Sequence, residues 1–284
     1  MKLLLLAAIT FATTTLFAQQ TNETITIGTE NRTYVKYLPT GFDVGTESLP
    51  LVLVLHGLGD VATNMAGVGT NNIADTARFI VMYPQGTPNT IGQNAWNNGT
   101  LLASTSDDIA FINALIDNAI NFHNVDPTRI YVTGFSMGGI MSYHLACALN
   151  DRIAAIASMS GTMSTDDIAN CVPSYKTPVM HLHGTADATV PYDSGALPSL
   201  SLVPETMAFW EGVHTCAANP DSTQLPDTAN DGITVDRFVW TGCTPNESLE
   251  LWRMNNADHI YMYEPVNDFT EANEIWRFFM KWSH

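Results

Sequence analysis

Short apolar runs alternate with amphipathic segments along most of this chain. Continuous apolar runs are typical of strands buried on both faces of a parallel sheet. They predict strands at 51–56, 79–83, 129–133, 154–159 and 179–183, with two alternating strands before them at 24–27 and 33–38. Apolar residues at helical spacing predict helices at 107–123, 139–146, 202–215 and 269–282, and further strands are predicted at 233–240 and 249–254. This alternation predicts an α/β protein with a mostly parallel central sheet and helices on both faces.

Chain length and loop lengths limit the domain organisation. The 284 residues suit one α/β domain better than two. We therefore expect residues 19–284 to form a single catalytic domain. The segments between strands are short, and 160–178 leaves little room for a large lid domain. The polar stretch 217–232 is predicted to be a solvated loop.

The first 18 residues have the pattern of a secretory signal. Lys2 is followed by the apolar run 3–9, and Ala18 offers a small residue for cleavage. The run is too short to span a membrane, and no later segment approaches a membrane span. We expect a secreted or periplasmic protein without membrane insertion after signal cleavage.

The chain is strongly acidic, with a formal net charge of -17. A surface of this sign repels nucleic acid and anionic lipid headgroups, and it disfavours polyanionic substrates. Nucleic-acid partners are therefore not expected, and neutral polymers or small esters fit the charge better. Solubility alone explains the acidity equally well.

Four cysteines in an exported protein suggest two disulfides, for which three pairings exist. We expect neighbours to pair, Cys147 with Cys171 and Cys216 with Cys243. No Cys-x-x-Cys or matching histidine spacing indicates a zinc site, so no metal is predicted.

The pentapeptide Gly134-Phe135-Ser136-Met137-Gly138 lies between a predicted strand and a predicted helix. Glycines on both sides of a serine permit a tight strand-to-helix turn that presents the hydroxyl at the edge of the sheet. A glycine-rich turn with a capping serine is the structural alternative. A phosphate-binding loop is disfavoured because no Lys-Ser/Thr pair follows. The sequence predicts Ser136 as a nucleophile.

A nucleophilic serine needs a base and an acid that orients the base. Asp187 follows strand 179–183 and His259 follows strand 249–254, which gives the order serine, acid, histidine of α/β-hydrolases. Asp193 is the closest rival acid, and Asp258 is expected to cap or tune the loop of the base. The strand histidines His56, His181 and His183 are interpreted as structural.

An oxyanion hole needs backbone N–H groups aimed at the developing negative charge. One is expected at Met137, directly after the nucleophile. The other is expected at Leu58, within the turn His56-Gly57-Leu58-Gly59-Asp60. A tight strand-to-helix turn without a catalytic role is the structural alternative for that segment.

Several ordered blocks resemble a known family. The blocks are 126–139, Leu55-His56-Gly57, Tyr83-Pro84-Gln85-Gly86, Trp96-Asn97, 107–111, 183–187 and Val190-Pro191-Tyr192. They resemble the secreted polyhydroxybutyrate-depolymerase-like and feruloyl and acetylxylan esterase group over roughly residues 25–282. The resemblance implies the α/β-hydrolase fold, a serine carboxylester mechanism and no cofactor. It also supports the neighbouring disulfides.

One block departs from that family. The family commonly has Gly-Gly-His-x-Trp-Pro around its base, whereas this chain has Ala257-Asp258-His259-Ile260-Tyr261-Met262. The missing Trp-Pro often shapes the pocket wall, so the departure affects the expected substrate more than the chemistry. Trp96 and Trp210 are candidates to stack on an aromatic acyl group or a sugar ring, with core burial as the alternative.

The sequence therefore predicts a secreted serine esterase acting on a small-molecule or polymeric ester. Feruloyl or acetyl esters of plant xylan are the favoured substrates, and polyhydroxybutyrate or another short-chain polyester is the alternative. Two other readings remain open. One is a prolyl-oligopeptidase-type peptidase, although no gating domain is evident. The other is a catalytically silent binding module with the same fold.

Overall fold

A computed structural model describes residues 19–217 and 219–284. The predicted signal at 1–18 lies outside the described residues. The strands are β1 Gln19–Ile27, β2 Glu30–Leu38, β3 Leu49–Leu55, β4 Ile80–Pro84, β5 Thr87–Pro88, β6 Asn94–Ala95, β7 Val125–Phe135, β8 Ala155–Met159, β9 Val179–Gly184, β10 Asp221–Gln224, β11 Thr234–Val239 and β12 Leu249–Asn255. The helices are α1 Ala62–Met65, α2 Thr70–Ala77, α3 Asp108–His123, α4 Met137–Ala148, α5 Thr165–Asn170, α6 Val203–His214 and α7 Glu271–Phe279.

A ten-stranded sheet runs through the molecule in the order β1-β2-β4-β3-β7-β8-β9-β12-β11-β10. The central strands from β4 to β12 are parallel to their neighbours. The outer pairs β1-β2 and β11-β10 join this centre antiparallel. All central strands therefore end at one edge of the sheet, where their following loops meet.

The core lies on both faces of the sheet. In β3, Leu51, Leu53 and Leu55 pack into one apolar cluster, while Val52 and Val54 pack into the other. Helices α3, α4 and α6 cover the first face, and α1, α2 and α7 cover the second. Continuous apolar runs were therefore the right signal, because both faces of these strands need apolar side chains.

Several observed helices and strands differ from the predicted ones. Helices α1, α2 and α5 were not predicted, since each is too short to display a helical period over several turns. The predicted loop 217–232 contains the edge strand β10, whose four residues are all exposed and so show no apolar alternation. Helix α7 ends at Phe279 instead of 282.

The predicted disulfide pairing is confirmed, and helix α3 has a defined cap. The structure has the disulfides Cys147–Cys171 and Cys216–Cys243. The backbone N–H of Ala110 donates to the Asp107 carboxylate, so Asp107 caps α3.

Between β8 and β9 the described chain has only the short helix α5, in agreement with the absence of a large lid domain there. Within the described residues, no helix is long and apolar enough to cross a membrane.

Candidate active site

The loops after four central strands meet at the carboxyl edge of the sheet. Ser136 directly follows β7, and Asp187 follows β9 after two residues. His259 follows β12, and the turn 56–60 follows β3. The parallel arrangement of these strands brings the predicted nucleophile, acid, base and oxyanion turn to the same edge.

The turn at Ser136 is held by close backbone packing. Ser136 has φ 56° and ψ -119°, a backbone conformation that non-glycine residues rarely adopt. A Cβ on Gly134 would lie 2.4 Å from the carbonyl carbon of Gly138, and a Cβ on Gly138 would lie 2.2 Å from the oxygen of Leu55. The backbone N–H of Ser136 donates to Met159 O at 2.8 Å. Both flanking glycines are therefore required because other backbone atoms occupy the space of a side chain.

Asp187 and His259 form a hydrogen-bonded pair. His259 Nδ1 lies 2.7 Å from Asp187 Oδ2. The other carboxylate oxygen, Oδ1, accepts the backbone N–H groups of Thr189 and Val190, each at 2.8 Å. Since an ionised carboxylate only accepts hydrogen bonds, His259 Nδ1 carries the proton. His259 Nε2 is then free to accept a proton.

The electrostatics of Asp187 favour its ionised form. Its carboxylate is buried, and burial alone raises the pKa. Hydrogen bonds from His183, His259 and Val190 N–H outweigh that effect, so the pKa of Asp187 lies below its usual range. The carboxylate therefore remains charged at neutral pH.

The rival acids occupy other places. Asp258 Oδ1 accepts the backbone N–H of His259 at 2.8 Å, so it caps the loop of the base as expected. Asp193 is exposed. Neither carboxylate has a hydrogen bond to the His259 ring among the described residues. Of the three acids weighed from the sequence, Asp187 is the one that contacts the imidazole.

The two predicted oxyanion donors border the same cleft. Met137 begins α4, and Leu58 lies in the turn after β3. Within the described residues, neither backbone N–H has an acceptor. Both are therefore available to a ligand in the cleft.

His56 holds the peptide that carries the Leu58 N–H. Gly86 N–H donates to His56 Nε2 at 2.9 Å, so His56 Nδ1 carries the proton and donates to Gly57 O at 2.7 Å. Gly57 O and Leu58 N–H belong to one peptide unit and point in opposite directions. Fixing the carbonyl on the buried His56 therefore also fixes the direction of the N–H.

A cleft of about 670 Å³ contains Ser136 and His259. Its apolar lining residues are Leu58, Leu101, Leu102, Phe135, Met137, Ile140, Val190, Leu197, Pro198 and Leu200. Among the described residues that line it, Asp60 is the only Asp, Glu, Lys or Arg. Loops 96–107 and 188–202 form the walls, and Leu101 N–H donates to Ser199 Oγ at 3.1 Å to join them. The cleft is suited to neutral, largely apolar ligands.

Ser136 and His259 face the same cleft without a direct hydrogen bond among the described atoms. The Phe135 ring packs against the His259 ring with centroids 4.8 Å apart. Catalytic hydrogen bonds of free enzymes are often long and shorten when substrate binds.

The prediction that Trp96 or Trp210 stacks on substrate is wrong. Both side chains are fully buried, and neither lines the cleft. Trp96 Nε1 donates to His56 O at 2.8 Å, and the Trp210 ring stacks on Tyr143. Each indole therefore has both faces within the protein, which is the core role named as the alternative.

Sequence reasoning missed one contact to the acid. His183, interpreted as structural, places Nε2 3.3 Å from Asp187 Oδ2. It is the penultimate residue of β9 and precedes Asp187 by four positions. A strand-end histidine so close in sequence to a predicted catalytic acid was the available signal.

Residues 45–202 match the profile of a family described as phospholipase/carboxylesterase. A bifunctional acetylxylan esterase/xylanase of Neocallimastix patriciarum is 26% identical over 237 residues, which are 82% of this chain and 31% of that protein. Feruloyl esterase B of Piromyces equi is 34% identical over 167 residues, which are 58% of this chain and 31% of that protein. The chain thus spans about a third of the length of these two curated relatives.

A solved structure is similar over nearly the whole described chain. The acetyl xylan esterase from Aspergillus awamori superposes with a TM-score of 0.67 and 16% sequence identity. The match covers 92% of this chain and 99% of that one. At this identity the likeness establishes a shared fold.

Proposed function

Since the chain belongs to the phospholipase/carboxylesterase family and has the α/β-hydrolase fold, we propose that it is a secreted serine esterase. Ser136 is the nucleophile, His259 the general base and Asp187 the orienting acid. The observation that carries the proposal is the 2.7 Å bond from His259 Nδ1 to Asp187, in the cleft that also contains Ser136.

The proposed reaction has two halves. Ser136 Oγ attacks the ester carbonyl while His259 Nε2 takes the hydroxyl proton. The tetrahedral intermediate collapses when the carbon–oxygen bond to the alcohol breaks, and His259 returns the proton to the leaving alkoxide. Water then attacks the acyl-enzyme with His259 again as base, which releases the acid and restores Ser136.

The proposed oxyanion hole consists of the Met137 and Leu58 N–H groups. Met137 N–H lies at the N-terminus of α4, where the helix dipole favours negative charge. The His56 bond to Gly57 O keeps the Leu58 peptide in one orientation before substrate arrives. Donors that are already oriented need no reorganisation when charge develops on the carbonyl oxygen.

We propose feruloyl or acetyl esters of plant xylan as substrates. The relatives that are named for acetylxylan and feruloyl esterase activity support this class. The cleft supports it as well, because it is open and largely apolar, and Asp60 is the only acidic or basic residue among its described lining residues apart from His259. Short-chain polyesters such as polyhydroxybutyrate are the alternative, since the exposed side chains of Leu101, Leu102 and Leu197 form an apolar rim beside the cleft.

Export from the cytoplasm is part of the proposal. Two disulfides form in the structure, and disulfides persist mainly in oxidising compartments. The apolar run at 3–9 after Lys2 has the pattern of a secretory signal. We propose a secreted or periplasmic location.

The test is kcat/KM on methyl ferulate and on p-nitrophenyl butyrate for wild type, Ser136→Ala and Ser222→Ala. Ser222 is an exposed serine on β10 that does not line the cleft, and it serves as the matched control. We expect Ser136→Ala to lose at least about 1,000-fold and Ser222→Ala to remain within about threefold. Activity of Ser136→Ala within tenfold of wild type would reject the mechanism. A ferulate to butyrate ratio near or above one supports an aromatic acyl pocket, whereas negligible ferulate release supports acetyl or polyester substrates.

A further inference from the structure

Behind the catalytic acid lies a chain of buried polar side chains that the esterase mechanism does not use. Tyr143 Oη is 2.7 Å from His181 Nδ1, and His181 Nε2 is 3.1 Å from His183 Nδ1. His183 Nε2 is 2.8 Å from Val190 O and 3.3 Å from Asp187 Oδ2. Tyr143 and both histidines are fully buried. The polar atoms of α4 and β9 thus form one continuous path to the acid.

We propose that His183, supported by His181 and Tyr143, is a positioning residue: it donates to Val190 O, keeps its protonated Nε2 3.3 Å from Asp187 Oδ2, and so holds that carboxylate toward His259. This proposal rests on the proposed function, because it assigns Asp187 as the catalytic acid. The three residues do not touch substrate, and they act only through Asp187.

The acceptors set the direction of every bond in the path. Val190 O and the Asp187 carboxylate can only accept, so His183 Nε2 carries a proton. In a neutral His183, Nδ1 must then accept from His181 Nε2–H. His181 Nδ1 in turn accepts the hydroxyl proton of Tyr143. All three donors therefore point toward Asp187.

The opposite direction requires a charged histidine in the core. If Tyr143 accepted from His181 Nδ1–H, then His181 Nε2 would accept and His183 would carry protons on both nitrogens. Burial disfavours such an imidazolium, and burial together with the neighbouring His183 lowers the pKa of His181 far below its usual range. The neutral path matches the burial of both rings.

The path ends in contact with the carboxylate. Oδ1 accepts Thr189 and Val190 N–H, and Oδ2 accepts His259 at 2.7 Å, while His183 Nε2 lies 3.3 Å from Oδ2. With both oxygens bonded on fixed sides, rotation of the carboxyl group would break several bonds at once. The bond from His259 is therefore the dominant one at Oδ2, and His183 adds an electrostatic contact on the other side. His183 also binds Val190 O, and it thereby ties the Asp187 loop to β9.

Two isosteric substitutions separate a donor effect from a packing effect. The glutamine amide reaches the position of histidine Nε2, whereas the asparagine amide reaches only that of Nδ1. We expect His183→Asn to lower kcat by roughly 10- to 100-fold with KM within about twofold, because the bond to Val190 O and the Nε2–H dipole beside the charged Asp187 carboxylate are both lost. We expect His183→Gln to recover kcat to within about fivefold of wild type, with a similar change in Tm. Equal kcat in the two variants, or wild-type kcat in His183→Asn, would overturn the proposal.

Control variants distinguish the failure of this role from failure of the proposed function. His144→Gln removes another histidine–aspartate contact, His144 Nδ1 to Asp167 at 2.9 Å, because the glutamine amide takes the position of Nε2; this contact lies outside the path, and the variant should leave kcat unchanged. Ser136→Ala is measured in parallel. If Ser136→Ala remains active, the proposed function fails and the positioning role fails with it. If Ser136→Ala is inactive and the two His183 variants are equal, only the positioning role fails.

A measurement on the wild-type protein covers the case in which variants do not fold. Long-range ¹H–¹⁵N correlation spectra report which imidazole nitrogen carries the proton. We expect both His181 and His183 to carry the ring proton on Nε2 near neutral pH. An Nδ1–H tautomer at either position would overturn the proposal.

Discussion

The two halves of the candidate site are held in place by different forces. The turn around Ser136 is fixed by contact of backbone atoms, with no room for a Cβ at Gly134 or Gly138. The Asp187–His259 half is fixed by side-chain and backbone hydrogen bonds that converge on one carboxylate. Close backbone contact around Ser136 leaves no room for a side chain on the flanking glycines. At the Asp187 carboxylate, the effect of a substitution should instead grow with the number of hydrogen bonds that it removes.

The difference predicts how each half fails. A substitution in the nucleophile turn should reduce activity and stability together, because the same backbone contacts pack the sheet against α4. A substitution at the acid should reduce activity with a smaller change in stability, because it changes charge and proton placement in an unchanged backbone. Comparing kcat with Tm for each variant therefore tests the distinction.

The largest effect is expected at the acid. Asp187→Asn replaces one accepting carboxylate oxygen by an NH₂ group, which cannot accept the hydrogen bonds made there. If this NH₂ group faces His259 Nδ1, it favours the His259 tautomer whose proton is on Nε2. We expect kcat/KM on p-nitrophenyl butyrate to fall about 10,000-fold. The exposed Asp193→Asn is the control and should stay within about twofold of wild type. A loss of less than about 100-fold in Asp187→Asn would contradict the assignment of the acid.

The second effect tests the steric half. A Cβ at position 138 would lie 2.2 Å from Leu55 O, so Gly138→Ala must displace backbone. We expect a loss of roughly 3 kcal/mol in the free energy of unfolding and at least about 100-fold in activity. Gly212→Ala in α6 is the control, since its Cβ would meet nothing within 4 Å, and it should stabilise the protein slightly. Urea unfolding of both variants measures this, and an unaltered midpoint for Gly138→Ala would refute the steric account.

A smaller effect is expected at the apolar rim. Leu101 lines the cleft but is 74% exposed, so a bound ester would bury part of its side chain. We expect Leu101→Ser to raise KM for p-nitrophenyl butyrate by about threefold to tenfold, since partial burial of a leucine contributes on the order of 1 kcal/mol. Val172→Ser removes an apolar residue that is 91% exposed and lies outside the cleft, and it is the control. Equal KM values in the two variants would exclude the rim from substrate binding.

The smallest effect on activity is expected at His214, which is buried at the end of α6 and does not line the cleft. Its Nε2 donates to Thr177 O at 2.9 Å, and burial lowers its pKa from 6.5 to about 4. The unfolded chain therefore binds a proton more readily, and the free energy of unfolding should fall as pH drops from about 6.5 to about 4. One such proton contributes a slope of about 1.4 kcal/mol per pH unit.

His214→Gln removes this titrating group and should flatten the slope by about one proton, with neutral-pH activity unchanged. Chemical denaturation at a series of pH values measures it. A slope in His214→Gln identical to that of wild type would show that another group is responsible.

Features near the chain's apolar runs could be predicted from the sequence. The strands before Ser136 and Asp187 are buried on both faces, so their apolar runs were unambiguous. The position of these two candidate residues at strand ends then follows from the topology of a parallel sheet. The glycines around Ser136 carried the same kind of signal, because a single side chain there is sterically excluded. Local rules were sufficient at these positions.

Features that depend on contacts between distant segments could not be predicted. Trp96 and Trp210 were equally plausible in a cleft or a core, and only the fold shows that both rings are enclosed. The cleft walls come from two loops without regular structure, whose meeting at Leu101 and Ser199 has no sequence pattern. The alignment of Tyr143 with His181 and His183 depends on how α4 packs on β9.

The central claim is that Ser136 is the residue that becomes acylated. Its most direct test is reaction of the protein with a fluorophosphonate, followed by peptide mass mapping of wild type and Ser136→Ala. The account predicts one stoichiometric adduct on the peptide containing Ser136, loss of esterase activity in parallel, and no labelling of Ser136→Ala. An adduct on another residue, or equal labelling of Ser136→Ala, would contradict it.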